Sequence, residues 1–207
     1  MKSKENLISQ LKALPYFEKA TILSLGEKLG LNRATISTYI SRFLNSRIKS
    51  EEIYRLKNGL YVSTDFYEKN KGDISYSFYL ANILRKPSYI SSWTALHYYN
   101  LLTEATHAIT SVGTKVTREY KTRVGAFTYQ AIDKKQFSDF SLVSGKFDFY
   151  IASPAKALFD LLYFRTRQFR GLSKSDIDNM IKELRIGIDD MSNEERTKFY
   201  NMIKKYE

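Results

Sequence analysis

Between Leu7 and Ser63 the apolar residues fall into three helical stripes and then a hairpin, an order that leaves few folds open. Leu7, Leu11 and Leu14 share one face of a first helix, which Pro15 helps to end. Ile22, Leu25 and Leu29, spaced by three and four, predict a second helix over roughly Thr21–Leu29. Gly30 follows as a stop that takes positive φ without a Cβ penalty. Asn32 can then cap a third helix, in which Ile36, Tyr39, Ile40, Phe43 and Leu44 form one stripe. Ile53–Leu56 and Leu60–Ser63 flank Lys57-Asn58-Gly59, where Asn-Gly signals a tight type I′ turn with φ positive twice. Three helices followed by a basic hairpin predict a winged helix-turn-helix over residues 1–65.

The outward positions of the third helix sharpen that expectation. They are Arg33, Ala34, Thr35, Ser37, Thr38, Ser41 and Arg42, with no acid anywhere from Asn32 to Arg47. A face meant for solvent alone usually mixes both signs, whereas small, hydroxylic and basic residues let a helix approach phosphates and base edges. Arg33, in the first turn, is placed to grip a guanine bidentately. Thr35, Ser37 and Thr38 can donate to phosphates or touch a thymine methyl, and Ala34 allows close approach. Arg42, together with Arg55 and Lys57 on the hairpin, suits phosphate contacts. Singly, each reads equally well as a solvated surface residue. As a set they point to double-stranded DNA.

Composition narrows the remaining classes. The 207 residues carry 33 Lys+Arg against 22 Asp+Glu, a formal charge of +11, which favours a polyanionic partner. Residues 1–62 hold net +6 of it, and the stretch from Arg85 to Lys146 has nine basic residues against four acidic ones. An apolar fraction of 43% with 14% aromatics excludes intrinsic disorder. The absence of cysteine removes disulfides, thiolate nucleophiles and cysteine metal sites. The start MKSKENLISQLK lacks the apolar core of a signal peptide, and the uncharged run Pro87–Thr103 is too polar for a membrane span. The expectation is a cytoplasmic protein without membrane contact.

Beyond a boundary expected at Thr64–Gly72, residues 73–207 read as a second, mixed α/β domain, making the chain α+β overall. Helices are expected over Ile74–Leu84, after Ser91 or Ser92, and after Ser153-Pro154, where Ala157, Leu158, Leu161 and Leu162 face inward. Two capping boxes, Ser173 with Asp176 and Ser192 with Glu195, open two more. Ala108–Val112, Arg118–Tyr120, Ala126–Ile132 and Phe147–Ala152 read as short strands.

Two runs in this second part resemble the signature of AbiEi-type antitoxins. One is Tyr89-Ile90-Ser91-x-Trp93-x-Ala95-Leu96-x-Tyr98-Tyr99-x-Leu101. The other is Ile151-Ala152-Ser153-Pro154-x-Lys156-Ala157-Leu158-x-Asp160-Leu161, with strands between the two that hold a basic-rich hairpin. The exit Gly59-Leu60-Tyr61-Val62 also fits, and Ala155 departs from the pattern, since many relatives carry an acid there. The resemblance runs from the helix-turn-helix to about Arg165. It implies a type IV toxin–antitoxin role in phage abortive infection. Such antitoxins repress their own operon at promoter inverted repeats, and antagonise a nucleotidyltransferase toxin, AbiEii, without a stable complex. The C-terminal domain is linked to the antitoxin activity, where Lys115, Arg118, Lys121 and Arg123 are the positions to examine. These four suit a second polyanion surface, extending the DNA footprint or meeting RNA, or else the solvated face of a hairpin.

Catalysis is not expected. Glu119-Tyr120-Lys121 matches the end of a restriction-type nuclease motif, but its upstream acid is weak, with only Glu104 and Asp73 nearby. His97 and His107 have no third ligand at metal-binding spacing, so neither metal nor cofactor is expected. The alternative from another class is a ligand-responsive regulator with Trp93, Tyr98, Tyr99 and Phe149 around a small-molecule pocket. No stripe is left over for a zipper, so a monomer is expected in solution, with two or more copies on DNA. If Arg33, Arg42, Arg55, Lys57 and part of the second basic group neutralise phosphates, log affinity against log salt should slope by roughly −0.9 per contact. A salt titration of DNA binding checks this, and a flat response contradicts it.

Overall fold

The computed structural model describes residues 2–38, 52–104 and 106–205. The described residues are mixed α and β with two sheets, and the chain divides into two units. One comprises residues 1–76 with 120–125, the other 77–119 with 126–207. Among the described residues no helix is long and apolar enough to cross a membrane.

The first unit opens with α1 (Lys2–Lys12), a two-residue strand β1 (Phe17–Glu18) and α2 (Lys19–Lys28). A third helix, α3, is described over 33–38. Then come β2 (Ile53–Lys57), β3 (Leu60–Ser63) and α4 (Thr64–Asn70). Leu7, Leu11, Phe17, Ile22, Ile36 and Tyr61 form the buried cluster, with Leu14, Leu25 and Leu29 packed partly against it. The three expected stripes therefore do meet, although of the third only Ile36 lies among the described residues. Tyr39, Ile40, Phe43 and Leu44 lie outside them, as does Arg42.

Three details differ from the sequence expectation. The stretch expected as a boundary, Thr64–Gly72, contains α4, started by the Ser63 hydroxyl accepting from Phe66 N–H at 3.1 Å. Its break in periodicity reflects a helix too short to show one. β1 was not foreseen either, because two residues carry no pattern; Phe17 pairs with Tyr61, giving the sheet order β1-β3-β2. Finally, the β2–β3 turn is bulged and not type I′. Positive φ falls on Gly59 (+82°) and not on Asn58, and the ladder shifts register between Arg55 and Lys57.

The second unit is built on a six-stranded mixed sheet ordered β6-β7-β5-β4-β9-β8. Its strands are β4 (Ser88–Ile90), β5 (Ala108–Gly113), β6 (Arg118–Thr122), β7 (Gly125–Ala131), β8 (Phe140–Val143) and β9 (Phe149–Ala152). Four strands were expected. The missed two, β4 and β8, are three and four residues long, and β4 is buried on both faces, so neither alternates clearly. The helices are α5 (Ile74–Leu84), which begins in the first unit, α6 (Ser92–Tyr98), α7 (Pro154–Arg165), α8 (Lys174–Glu183) and α9 (Asn193–Ile203).

Helix α7 is the centre of this unit. Ala155 to Tyr163 are all buried, nine consecutive positions, so the helix is covered all round rather than along one stripe. Pro154 sits at its start and the Ser153 hydroxyl accepts from Lys156 N–H at 3.4 Å. Of the two capping boxes, that of Ser173 and Asp176 closes in both directions. The other closes in one only. Ser192 accepts from Glu195 N–H at 3.2 Å, but the Glu195 carboxylate accepts instead from Ala155 N–H at 2.7 Å. It thereby supplies, from α9, an acid at the start of α7 where Ala155 has none to offer.

One close approach sets the spacing of α2 and α3. A Cβ built on Gly26 would lie 2.7 Å from both Cγ1 and Cδ1 of the fully buried Ile36. Alanine there gains about 1 kcal/mol of helix propensity but forces overpacking that costs roughly 1–3 kcal/mol. Gly26→Ala is expected to lower stability by about 1 kcal/mol, read from a thermal or urea melt. At the exposed glycine Gly72, where nothing lies within 4 Å, the same change should have no such cost.

Candidate functional site

The turn between α2 and α3 is determined residue by residue. Gly30 takes φ +73°, its N–H donates to Glu27 O at 3.0 Å, and Leu31 N–H donates to Gly26 O at 3.0 Å. This paired arrangement is the Schellman motif, which satisfies the last carbonyls of α2 and reverses the chain. Asn32 then accepts from Thr35 N–H through its side chain at 2.8 Å, starting α3. Arg33, Ala34, Ser37 and Thr38 are exposed and Thr35 is half-buried. The Thr38 hydroxyl donates back to Ala34 O at 2.9 Å, so its lone pairs face outward while its proton is engaged.

Arg33 is not idle on this face. Its Nε donates to Glu27 Oε1 at 2.8 Å, and that bond raises the guanidinium pKa further above its ordinary value. The Arg33 side chain is 85% exposed, and an exposed pair of this kind is readily exchanged for a phosphate or a base edge. Glu27 lies six residues before Arg33, exposed near the end of α2, and nothing in the spacing of residues 32–47 signals it. On the hairpin, Arg55 is exposed and Lys57 half-buried with an interaction of its own.

The four basic positions of the second group are exposed and are divided between the two units. Lys115 and Arg118 belong to the second unit, whereas Lys121 and Arg123 belong to the first. Strand alternation in β6 also turns Arg118 and Lys121 to opposite sides. Within the first unit, Arg123 lies 5.8 Å from the Tyr54 ring centroid, and Tyr67 donates to Val124 O at 3.3 Å. Arg118 lines a groove of the second unit together with Trp93 and Arg165.

A buried polar cluster lies inside the second unit. Lys156 Nζ is 2.8 Å from Asp160 Oδ1, one helical turn on, with side chains 2% and 0% exposed. Asp160 Oδ2 accepts from the Ser91 hydroxyl at 2.7 Å and the Tyr89 hydroxyl at 3.0 Å. The Lys156 ammonium also sits 4.8 Å from the Phe159 ring centroid. Burial pushes the Asp160 carboxyl up, opposed by Lys156 and by the two hydroxyl bonds. Burial and the Asp160 charge push the Tyr89 phenol far up, which keeps it a proton donor. Ser91 sits at the N-cap of α6, yet its hydroxyl serves Asp160 instead of the helix.

The two sequence runs that carry the family resemblance therefore converge here. Tyr89 and Ser91 come from the first, Lys156 and Asp160 from the second, and they meet in a closed interior. Such a cluster is out of reach of a substrate and acts by locking α7 against β4 and the start of α6. The aromatic set proposed for a ligand pocket is otherwise occupied. Tyr98 packs edge-on against Phe149 at 6.0 Å and Tyr99 at 5.3 Å, and Tyr99 donates to Ala152 O at 2.9 Å. Of the four, Trp93 lines a groove. His97 is half-buried in α6 and His107 exposed, and no group of three or more His, Asp or Glu assembles among the described residues. Comparison with protein-family models and with curated proteins finds no match for this chain.

Breaking the buried pair on one side is expected to cost about 3–5 kcal/mol, because it strands the other charge. Asp160→Ala should therefore unfold far more readily in urea than wild type. The double change Lys156→Met with Asp160→Leu should recover most of that loss, since both charges leave the interior together.

Proposed function

We propose that this chain is an AbiEi-type antitoxin, a DNA-binding autorepressor of its own toxin–antitoxin operon. The observation that carries the reading is the convergence of Tyr89, Ser91, Lys156 and Asp160 on one buried ion pair. The two runs that carry the resemblance, some sixty residues apart, supply two residues each to that lock.

In this reading the first unit acts as a winged helix-turn-helix. The Schellman turn at Gly30, the Asn32 cap and the acid-free face of α3 support it, as does the basic hairpin β2–β3. Arg33, Thr35, Ser37 and Thr38 approach the major groove with Ala34 between them, and Arg55 and Lys57 hold phosphates alongside. Arg42 has the same role by its place in the sequence. Two or more copies then meet on inverted promoter repeats. The protein opposes a nucleotidyltransferase toxin in the cytoplasm without forming a stable complex with it.

A gel-shift titration on the upstream region of its own gene tests operator binding. A specific shift is expected for wild type and its loss in Arg33→Ala/Arg42→Ala. Glu27→Gln releases Arg33 and should tighten binding several-fold, an effect that vanishes in the Arg33→Ala background. No specific shift at moderate salt contradicts the proposal. Restored growth on co-expression with the toxin, without co-purification, tests the second half.

A further inference from the structure

The two edges of the six-stranded sheet are unlike. Edge strand β6 carries Arg118, Glu119 and Lys121, charges of the kind that keep sheet edges from pairing. The opposite edge, β8, reads Phe-Ser-Leu-Val without a charge, and among the described residues no strand lies beyond it. Ser153 N–H donates to Asp139 O at 2.9 Å, which sets the phase of the β8–β9 ladder. By alternation Asp139, Ser141 and Val143 bond to β9, and Phe140 and Leu142 turn their N–H and C=O groups outward. Tyr150, directly opposite Leu142, accordingly donates away from β8, to Asn82 Oδ1 at 2.7 Å. The side chains alternate too. Phe140 and Leu142 lie on one face with their cross-strand partners Ala152 and Tyr150, and Leu142 and Tyr150 are 47% and 44% exposed.

An open edge of this kind accepts another strand, and here the pattern closes on itself. We infer that β8 is an interface for a second copy of this chain, paired antiparallel about a two-fold axis at Ser141. In that register Phe140 of one copy exchanges both backbone bonds with Leu142 of the other, and the axis repeats the exchange, so the outward groups of both residues are used. The row Ala152–Phe140 of one copy continues into Leu142–Tyr150 of the other, which covers the exposed apolar pair. The strands bring no like charges together. Asp139 lies just outside β8, at φ +59°, and already holds Lys198 at 3.0 Å. With strands of 4 residues the contact buries well below the roughly 1,200 Å² of a stable interface. Dilute protein is therefore monomeric, and pairing develops at high concentration. This contact stands apart from operator binding, which it neither needs nor implies.

The chain has no cysteine, so a single introduced thiol reports the contact without background. Facing Ser141 residues form a non-hydrogen-bonded pair with Cα atoms about 4.5 Å apart, within reach of a disulfide. In a glutathione redox buffer, full-length Ser141→Cys is expected to form a covalent dimer about tenfold faster than Ser175→Cys, a collision control at another exposed serine, on α8. Adding Leu142→Lys should return the rate to that of the control, because an ammonium group interrupts the apolar row. Adding Leu142→Ile should keep most of it. Sedimentation equilibrium of the wild type at millimolar concentration is expected to show monomer and dimer together, and Leu142→Lys monomer alone. The inference is overturned if Ser141→Cys cross-links no faster than the control, the result expected were the edge kept for an extended segment of another protein. It is equally overturned if Leu142→Lys leaves the rate unchanged, or if the wild type stays monomeric at that concentration. Circular dichroism shows whether each variant is folded, and the wild-type sedimentation decides the matter should one fail to fold.

Discussion

The second unit depends on one buried contact between Lys156 and Asp160. Two full charges at 2% and 0% exposure carry a large desolvation cost, and it is offset only by close geometry and additional hydrogen bonds. Those bonds come from Tyr89, within β4, and Ser91, just after it, so the Asp160 carboxylate is satisfied only when α7 lies against that part of the sheet. Tyr89 is held in turn by stacking on Phe140 of β8 at 4.5 Å. The neighbour of the pair in sequence, Ala155, is fixed from α9 through Glu195. A polar cluster of this kind adds little net stability compared with apolar packing. It does favour one register of α7, because any slip takes the buried Asp160 carboxylate away from the Tyr89 and Ser91 hydroxyls.

The first unit is arranged on a different principle, close backbone approach and local hydrogen bonding. Gly26 lets Ile36 come within a distance that no side chain would permit, and the Schellman turn uses Gly30 to reverse direction between them. The result presents the outer face of α3 next to the outer face of α2. That juxtaposition explains why Arg33 meets Glu27, and it gives the candidate DNA-reading arginine an internal competitor for its ligand. The charge on this face is thus regulated by geometry that no count of lysines and arginines reveals.

Much of both units was legible in the sequence because local rules were obeyed. The stripes of α1 and α2, the Gly30 stop, the Asn32 and Ser153 caps and the Ser173 box are short-range interactions, and each formed as its spacing indicates. What was misread falls where tertiary contact competes with a local rule. Ser91 and Glu195 both sit where a helix cap would use them, but each side chain is drawn to a partner on another element. Strands β4 and β8 were invisible because their length is too small for alternation and their pairing, not their composition, defines them. The Asn-Gly turn falls where its sequence places it, but the β2–β3 ladder shifts register between Arg55 and Lys57, which a dipeptide signal does not report.

By itself the sequence determined the helices, the basic and acid-free face of α3, and the two runs on which the resemblance rests, because periodicity and capping act within a few residues. Only the tertiary structure decided that Lys156 and Asp160 are buried partners of Tyr89 and Ser91, that Arg33 is engaged by Glu27, and that Arg118 joins Trp93 and Arg165 around a groove while Lys121 turns away. Those outcomes depend on where distant strands and helices come to rest. A charge contributes according to its surroundings, and in a linear sequence the surroundings are not yet formed.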